Sequence, residues 1–147
     1  MEALLLKTHS VLRYLILVML TWSLFTAWSG WKGQKSYKAS FKKIHNVTRL
    51  LLILQMLLGI GLYYLFGFYK LWGHLQGIPE QAGFFTIGHV SMMLIAIACI
   101  NIGYAVAVKA ASDKWKFRRI AIFYSIGCLV IFMAIPWPFL HSWATWI

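Results

Sequence analysis

Long apolar runs, separated by short polar interruptions, dominate this chain. The runs extend approximately over Leu4–Trp28, His45–Phe68, Phe84–Val108 and Arg119–Pro136. A helix needs about 20 apolar residues to cross the hydrocarbon core of a bilayer, and each run is long enough to do so. Lipid offers no partner to an open strand edge, so the runs must be helical. We therefore predict an all-α integral membrane protein: a four-transmembrane-helix bundle in up-down-up-down order, with residues 1–147 forming a single transmembrane domain.

The formal charge of +11 is concentrated in two of the interruptions. Basic clusters that flank apolar runs are typical of cytoplasmic loops and can attract anionic lipid. This distribution excludes nucleic acid as a partner and predicts contact with membrane lipid. The first cluster comprises Lys32, Lys35, Lys38, Lys42 and Lys43, and the second comprises Lys109, Lys114, Lys116, Arg118 and Arg119.

The same charges predict the orientation of the chain in the membrane. The loop around Gly73–Gly83 contains no basic residue, and only Lys70 precedes it after the second run. Near the N-terminus the only basic residues are Lys7 and Arg13. The positive-inside rule therefore places both termini and this middle loop on the non-cytoplasmic side.

Two histidines are predicted to lie at the same depth. His9 and His89 each follow the start of a run that enters from the non-cytoplasmic side. At the helical rise per residue, both would lie roughly 7–8 Å into the membrane. Imidazoles at equal depth on different helices can ligate one haem iron from opposite faces, and bundle cores are where such sites are built. We predict that His9 and His89 bind haem iron.

A porphyrin would also need space between the helices. Gly59 and Gly61 of the second run reach the depth of the histidines and would let a flat ring approach the backbone. Below His89, a stripe of small and polarizable side chains that includes Met93 follows one face of the third run, and a cofactor-facing surface is one interpretation of it. The stripe reads Met92/Met93, Ala96, Cys99/Ile100 and Gly103. Plain helix–helix packing explains small residues in membranes equally well, so this alternative stays open.

Arg13 is predicted one turn deeper than His9, where a charge needs a partner. No acidic side chain lies at that depth, since the acids are Glu2, Glu80 and Asp113. Backbone carbonyls, a haem propionate or a lipid head group are the candidate partners. We assign Arg13 to the cofactor site.

The remaining histidines are interpreted as non-ligands. His45 stands alone at its depth and is expected to cap a helix or reach the interface, which leaves a second bis-histidine haem unsupported. His74 and His141 lie outside the apolar runs and are expected at the surface, with a quinone-site hydrogen bond or service as a substitute ligand as the alternatives. No nucleophile–base pair, phosphate loop or zinc-binding spacing occurs, so no catalytic residue is predicted.

Several segments together resemble a family of small bacterial four-helix membrane proteins that are often labelled cytochrome b-like. They are Gly88–Met93, Lys116–Tyr124, Ile135–Phe139, Gln55–Tyr63 and His9, and the resemblance covers nearly the whole chain. It implies haem b, a respiratory function and the bacterial cytoplasmic membrane, with the termini on the periplasmic side. The chain departs from the family pattern just before Gln55, where a histidine often stands and Ile53 is found. If that histidine binds haem in relatives, this chain either lacks haem or uses other residues.

Two functional hypotheses follow. The first is a membrane-embedded b-type haem protein or subunit that takes part in respiratory electron transfer, with quinol or a neighbouring redox subunit as partner. The second is a cofactor-free accessory subunit of a larger respiratory membrane complex. Both predict association with other membrane subunits or with further copies of this chain.

Overall fold

The computed structural model describes residues 2–74 and 76–146, and these form four long helices with no strand among them. The helices are α1 (Glu2–Lys32), α2 (Ala39–Leu65), α3 (Glu80–Val108) and α4 (Asp113–Ala134). Each is long and apolar enough to cross a membrane. The predicted all-α four-helix bundle is confirmed. The end that carries the links 33–38 and 109–112 is called the basic end, and the opposite end is called the termini end.

Large apolar side chains cover the outside of the bundle. Leu4, Phe25, Leu129 and Met133 expose 71%, 68%, 67% and 68% of their surfaces. A helix that is apolar on its outward face as well as its inward one is typical of a membrane span. The surface therefore fits a bilayer as its surrounding medium.

The helices begin and end at different residues from those predicted. α1 continues past Trp28 to Lys32, α2 begins at Ala39 rather than His45, and α4 begins at Asp113 rather than Arg119. The predicted limits rest on the apolar residues alone. The helices are longer because their backbone hydrogen bonds continue into the flanking lysines, which are good helix formers. At the start of α4, the Trp115 N–H donates to the Ser112 hydroxyl at 3.4 Å.

α3 and α4 form the most extensive helix–helix interface of the bundle. A Cβ added at Gly127 would lie 2.6 Å from Ile100, and one added at Gly103 would collide with Phe123. Ala96, which also belongs to the stripe predicted on α3, is fully buried. From Ala96 onward the stripe therefore serves helix–helix packing. α1 packs against both α2 and α4, while α2 and α3 meet less extensively.

The termini end contains the irregular parts of the fold. α2 ends at Leu65, and Gly67 follows with a left-handed φ of 70°, a conformation that favours glycine. α3 contains a π-helical turn over Phe84–Gly88, directly before His89. The Tyr63 hydroxyl donates to the carbonyl of Thr86 within that turn at 3.3 Å. Such turns often occur at functional sites.

Candidate functional site

A cavity of about 610 Å³ lies at the termini end, between α1, α2, α3 and the C-terminal segment 136–146. Its size falls within the range of small-molecule sites, about 300–1,000 Å³. Its walls are largely apolar. Several lining residues are also exposed on the outside of the bundle, which places the mouth of the cavity on the lipid-facing side. These are Leu6, Ile60, Tyr64, Phe66 and Leu94.

His9 and His89 meet in the wall of this cavity. Their ring centroids are 6.5 Å apart and their planes are inclined by 68°. A metal–imidazole nitrogen bond is about 2.0–2.1 Å long, so two rings that share one metal have centroids roughly 6 Å apart. The observed centroid separation is compatible with both imidazoles binding one iron.

A backbone carbonyl holds His89 in one orientation. Its Nδ1 lies 2.8 Å from the carbonyl oxygen of Ala134. A carbonyl only accepts hydrogen bonds, so Nδ1 carries the proton and Nε2 keeps its lone pair. Histidines that bind metals usually donate their other N–H in this way.

Two prolines explain why carbonyls are free at the end of α4. A helical carbonyl accepts from the N–H four residues ahead, and Pro136 and Pro138 have no N–H. Ile135, which precedes Pro136, is extended with a ψ of 129°, so α4 ends at Ala134 and the carbonyls of its last turn, including those of Phe132 and Ala134, lack backbone donors. The Trp137 indole donates to Phe132 at 2.8 Å, and His89 donates to Ala134.

His9 is packed between α1 and α2. A Cβ added at Gly59 would lie 3.2 Å from Cε1 of His9, so the imidazole occupies the space that this glycine leaves. Nδ1 of His9 is buried without a hydrogen-bond partner in the described structure. The Gln55 side-chain amide donates to the His9 carbonyl at 2.9 Å, and the Gln55 Oε1 is likewise buried and unpaired. Both residues line the cavity, so a bound group could satisfy these atoms.

Arg13 is the charged residue of the cavity among the described lining residues. Its guanidinium donates to the carbonyl of Trp146 at 2.7 Å and to the Tyr14 hydroxyl at 3.1 Å. A backbone carbonyl, one of the predicted kinds of partner, therefore receives part of this side chain. Nε remains buried and unpaired, which leaves one donor for a bound acceptor.

The other predicted site residues lie in different places. Met93 lines the cavity, as does Gly59. Gly61 does not, because its α-carbon faces Leu5, which would lie 3.7 Å from an added Cβ. Residues two positions apart in a helix point to nearly opposite sides, so only one of these two glycines can face His9.

His45 corrects an expectation. It was predicted to cap a helix or reach the interface, yet its side chain is fully buried. Its Nδ1 lies 2.6 Å from the Ser23 hydroxyl, and Tyr37 stacks on its ring at 5.9 Å. Burial raises the pKa of the Tyr37 phenol in the link beside it. α2 begins before His45, so this residue lies inside the bundle rather than at a helix end. The Ser23 hydroxyl is the partner of its Nδ1, and its Nε2 is buried without a hydrogen-bond partner among the described residues.

His74 and His141 lie away from the cavity lining. His74 is exposed. His141 is partly exposed, pairs with Glu80 at 3.2 Å and packs on Trp143 at a centroid distance of 4.7 Å. Both fit the predicted surface positions.

Gln55 and Pro138 were not predicted as parts of the site. The signal for Pro138 was its position four residues after Ala134, which marks a carbonyl without a backbone donor.

Within residues 2–74 and 76–146, no group of three or more His, Cys, Asp or Glu side chains is placed to hold a metal ion. A bis-histidine haem site needs only two protein ligands, because the porphyrin supplies the others. No protein-family model, curated protein or solved structure matches this chain.

Proposed function

We propose that this chain is a membrane-embedded b-type haem protein that takes part in respiratory electron transfer. One observation carries the proposal. The imidazole rings of His9 and His89, which belong to different helices, lie with their centroids 6.5 Å apart in the wall of a cavity. Haem, when bound, supplies one-electron chemistry between ferric and ferrous iron. The unpaired buried atoms of His9, Arg13 and Gln55 support the presence of a bound group.

Each residue would have a separate task. His89, oriented by the Ala134 carbonyl, and His9 would hold the haem iron, with Nε2 of His89 free to bind it. Gly59 keeps room for the His9 ring, and Met93 gives the cavity a polarizable apolar wall. Arg13 would compensate a negative charge at the edge of the bound group, for which Nε is available.

The electron donor would reach the site from the membrane or from a neighbouring subunit. The exposed apolar residues at the cavity mouth favour a lipophilic donor such as quinol. We further propose the bacterial cytoplasmic membrane as the location, with the basic end in the cytoplasm.

The test is a dithionite-reduced minus oxidised absorption spectrum of the purified full chain. Wild type is expected to show a sharp b-type band. His9→Ala and His89→Ala are expected to lose it, because each removes an axial ligand. His74→Ala is the matched control: it removes an exposed histidine away from the cavity lining and should leave the band unchanged. A flat spectrum in haem-supplemented wild type would refute the proposal and support the cofactor-free accessory subunit.

A further inference from the structure

Arg118 differs from the other arginines of the chain. Arg13, Arg49 and Arg119 each donate to a carbonyl, an amide oxygen or a hydroxyl. The guanidinium of Arg118 makes no hydrogen bond or ion pair with any described residue, and its Nε is buried. A guanidinium has five N–H donors in a planar fork, so this side chain has an unused capacity to bind an acceptor.

Two indole rings hold Arg118 in place. Its guanidinium carbon lies 4.6 Å from the centroid of Trp115 and 5.5 Å from the centroid of Trp31. Cations are attracted to indole faces at such distances, so the side chain lies between Trp31, near the end of α1, and Trp115, near the start of α4. The space that these two indoles flank is called the groove. Contacts with ring faces leave the N–H edges of the guanidinium available to an anion.

Among residues 2–74 and 76–146, no acidic side chain is free to serve this groove, and Glu2 lies at the opposite end of α1. Asp113, the acid of the basic end, pairs with Lys116 at 2.9 Å and accepts from the Tyr37 N–H at 3.0 Å. Glu80 is engaged with His141 in the other half of the protein. Lys32 adds a second positive charge nearby, since it lies 5.5 Å from the ring of Trp28, which itself packs on Trp31. The complementary charge must therefore come from outside the chain.

The groove continues into an apolar track along α4. Ile122, Ser125 and Leu129 follow Arg118 at helical spacing on the same face. Ile122 and Leu129 are 38% and 67% exposed, and the Trp28 indole donates to the Ser125 hydroxyl at 3.1 Å. Tryptophan prefers the head-group level of a bilayer, which puts the cations beside lipid phosphates and the track beside acyl chains.

We infer that Arg118, clamped by Trp31 and Trp115 and assisted by Lys32, binds the phosphate of an anionic phospholipid. The acyl chains lie along Ile122 and Leu129. Basic pockets between membrane helices bind acidic lipid head groups in this way. The site is separate from the cavity and requires no haem.

The experiment titrates the purified full chain, in a zwitterionic detergent, with phosphatidylglycerol, and counts bound lipid by native mass spectrometry. Arg118→Gln is expected to weaken binding about tenfold or more, because charge-assisted hydrogen bonds to phosphate are lost. Arg118→Lys should recover only part of the loss, since it keeps the charge but not the planar fork.

Lys114→Gln is the matched control, because it removes one positive charge from an exposed position on the same helix. A general electrostatic attraction is worth only about fivefold per basic residue, and less in high salt. Equal losses for Arg118→Gln and Lys114→Gln would overturn the proposal. So would equal binding of phosphatidylcholine, or displacement of the lipid by millimolar inorganic phosphate. Size-exclusion elution at the wild-type volume verifies that each variant is folded.

Discussion

At the scale of single residues, Gly59 and Gly61 show how direction on a helix separates a site residue from a packing residue. Both glycines were predicted to border a cofactor because both reach the right depth. In the structure Gly59 faces the His9 ring, whereas Gly61 faces Leu5 with ordinary van der Waals clearance. Depth follows from counting residues, but helix rotation depends on the packing of all neighbours, which the sequence does not display.

This difference gives a residue-scale prediction. Gly61→Ala is expected to raise the thermal stability of the purified chain, by up to about 1 kcal/mol, because alanine favours a helix over glycine. Gly59→Ala is expected to gain less or to lose stability, since its Cβ would lie 3.2 Å from the His9 ring and force it to move. Thermal unfolding in detergent measures both. A larger gain for Gly59→Ala than for Gly61→Ala would contradict the assigned packing of His9.

His45 makes the same point about what a sequence shows. The sequence offers no second histidine at the depth of His45, and the environment of its ring was not predicted. The Ser23 hydroxyl that is hydrogen-bonded to Nδ1 of His45 belongs to another helix, and no local sequence pattern predicts a pair of this kind. His9 and His89 were easier to relate, because the regular rise of two parallel helices brings equal depths together.

At the scale of elements, the end of α4 controls the orientation of His89. Proline spacing leaves the Ala134 carbonyl without a backbone donor, and the imidazole takes that place. This relation could have been read from the sequence, because the rule that links Pro138 to Ala134 is local. The helix limits could not be read from the sequence in this way, because α1 and α2 continue into basic segments that lie outside the apolar runs.

The double variant Pro136→Ala/Pro138→Ala tests this element. Without Pro136, Ile135 is free to become helical and α4 can lengthen, so the new N–H at position 138 is expected to compete for the Ala134 carbonyl and weaken the hydrogen bond of His89. Nitrogen-15 NMR of the histidine rings should show the loss, and haem affinity should fall about tenfold, as when a metal-binding histidine loses its supporting acceptor.

Pro136→Ala provides the comparison. It adds a donor opposite the Phe132 carbonyl, which the Trp137 indole already occupies. The His89 resonances should therefore stay close to those of wild type. If both proline variants alter His89 equally, the local carbonyl is not what orients this ring.

At the scale of the whole molecule, the distribution of charge predicts which end faces the cytoplasm. Ser36 at the basic end and Ser142 at the termini end are both exposed. In intact cells, Ser142→Cys is expected to react with a membrane-impermeant maleimide, whereas Ser36→Cys should react only after the membrane is permeabilised. The wild-type chain, whose Cys99 and Cys128 lie within the spans, sets the background. Reaction of Ser36→Cys alone in intact cells would reverse the proposed orientation.

The uneven seams of the bundle also imply an order of assembly. α3 and α4 are joined by the short link 109–112 and interlock through Gly103 and Gly127, so they can form a helical hairpin early. α2 meets α3 less extensively, and the cavity lies on that side. We expect the α2–α3 side to close last during biogenesis, and a large rigid group such as haem would enter more easily before that closure than through the finished mouth between Ile60 and Leu94. Maturation of the protein would then depend on the supply of haem as the chain inserts into the membrane. A cell that lacks haem would accumulate a loosely closed, protease-sensitive form.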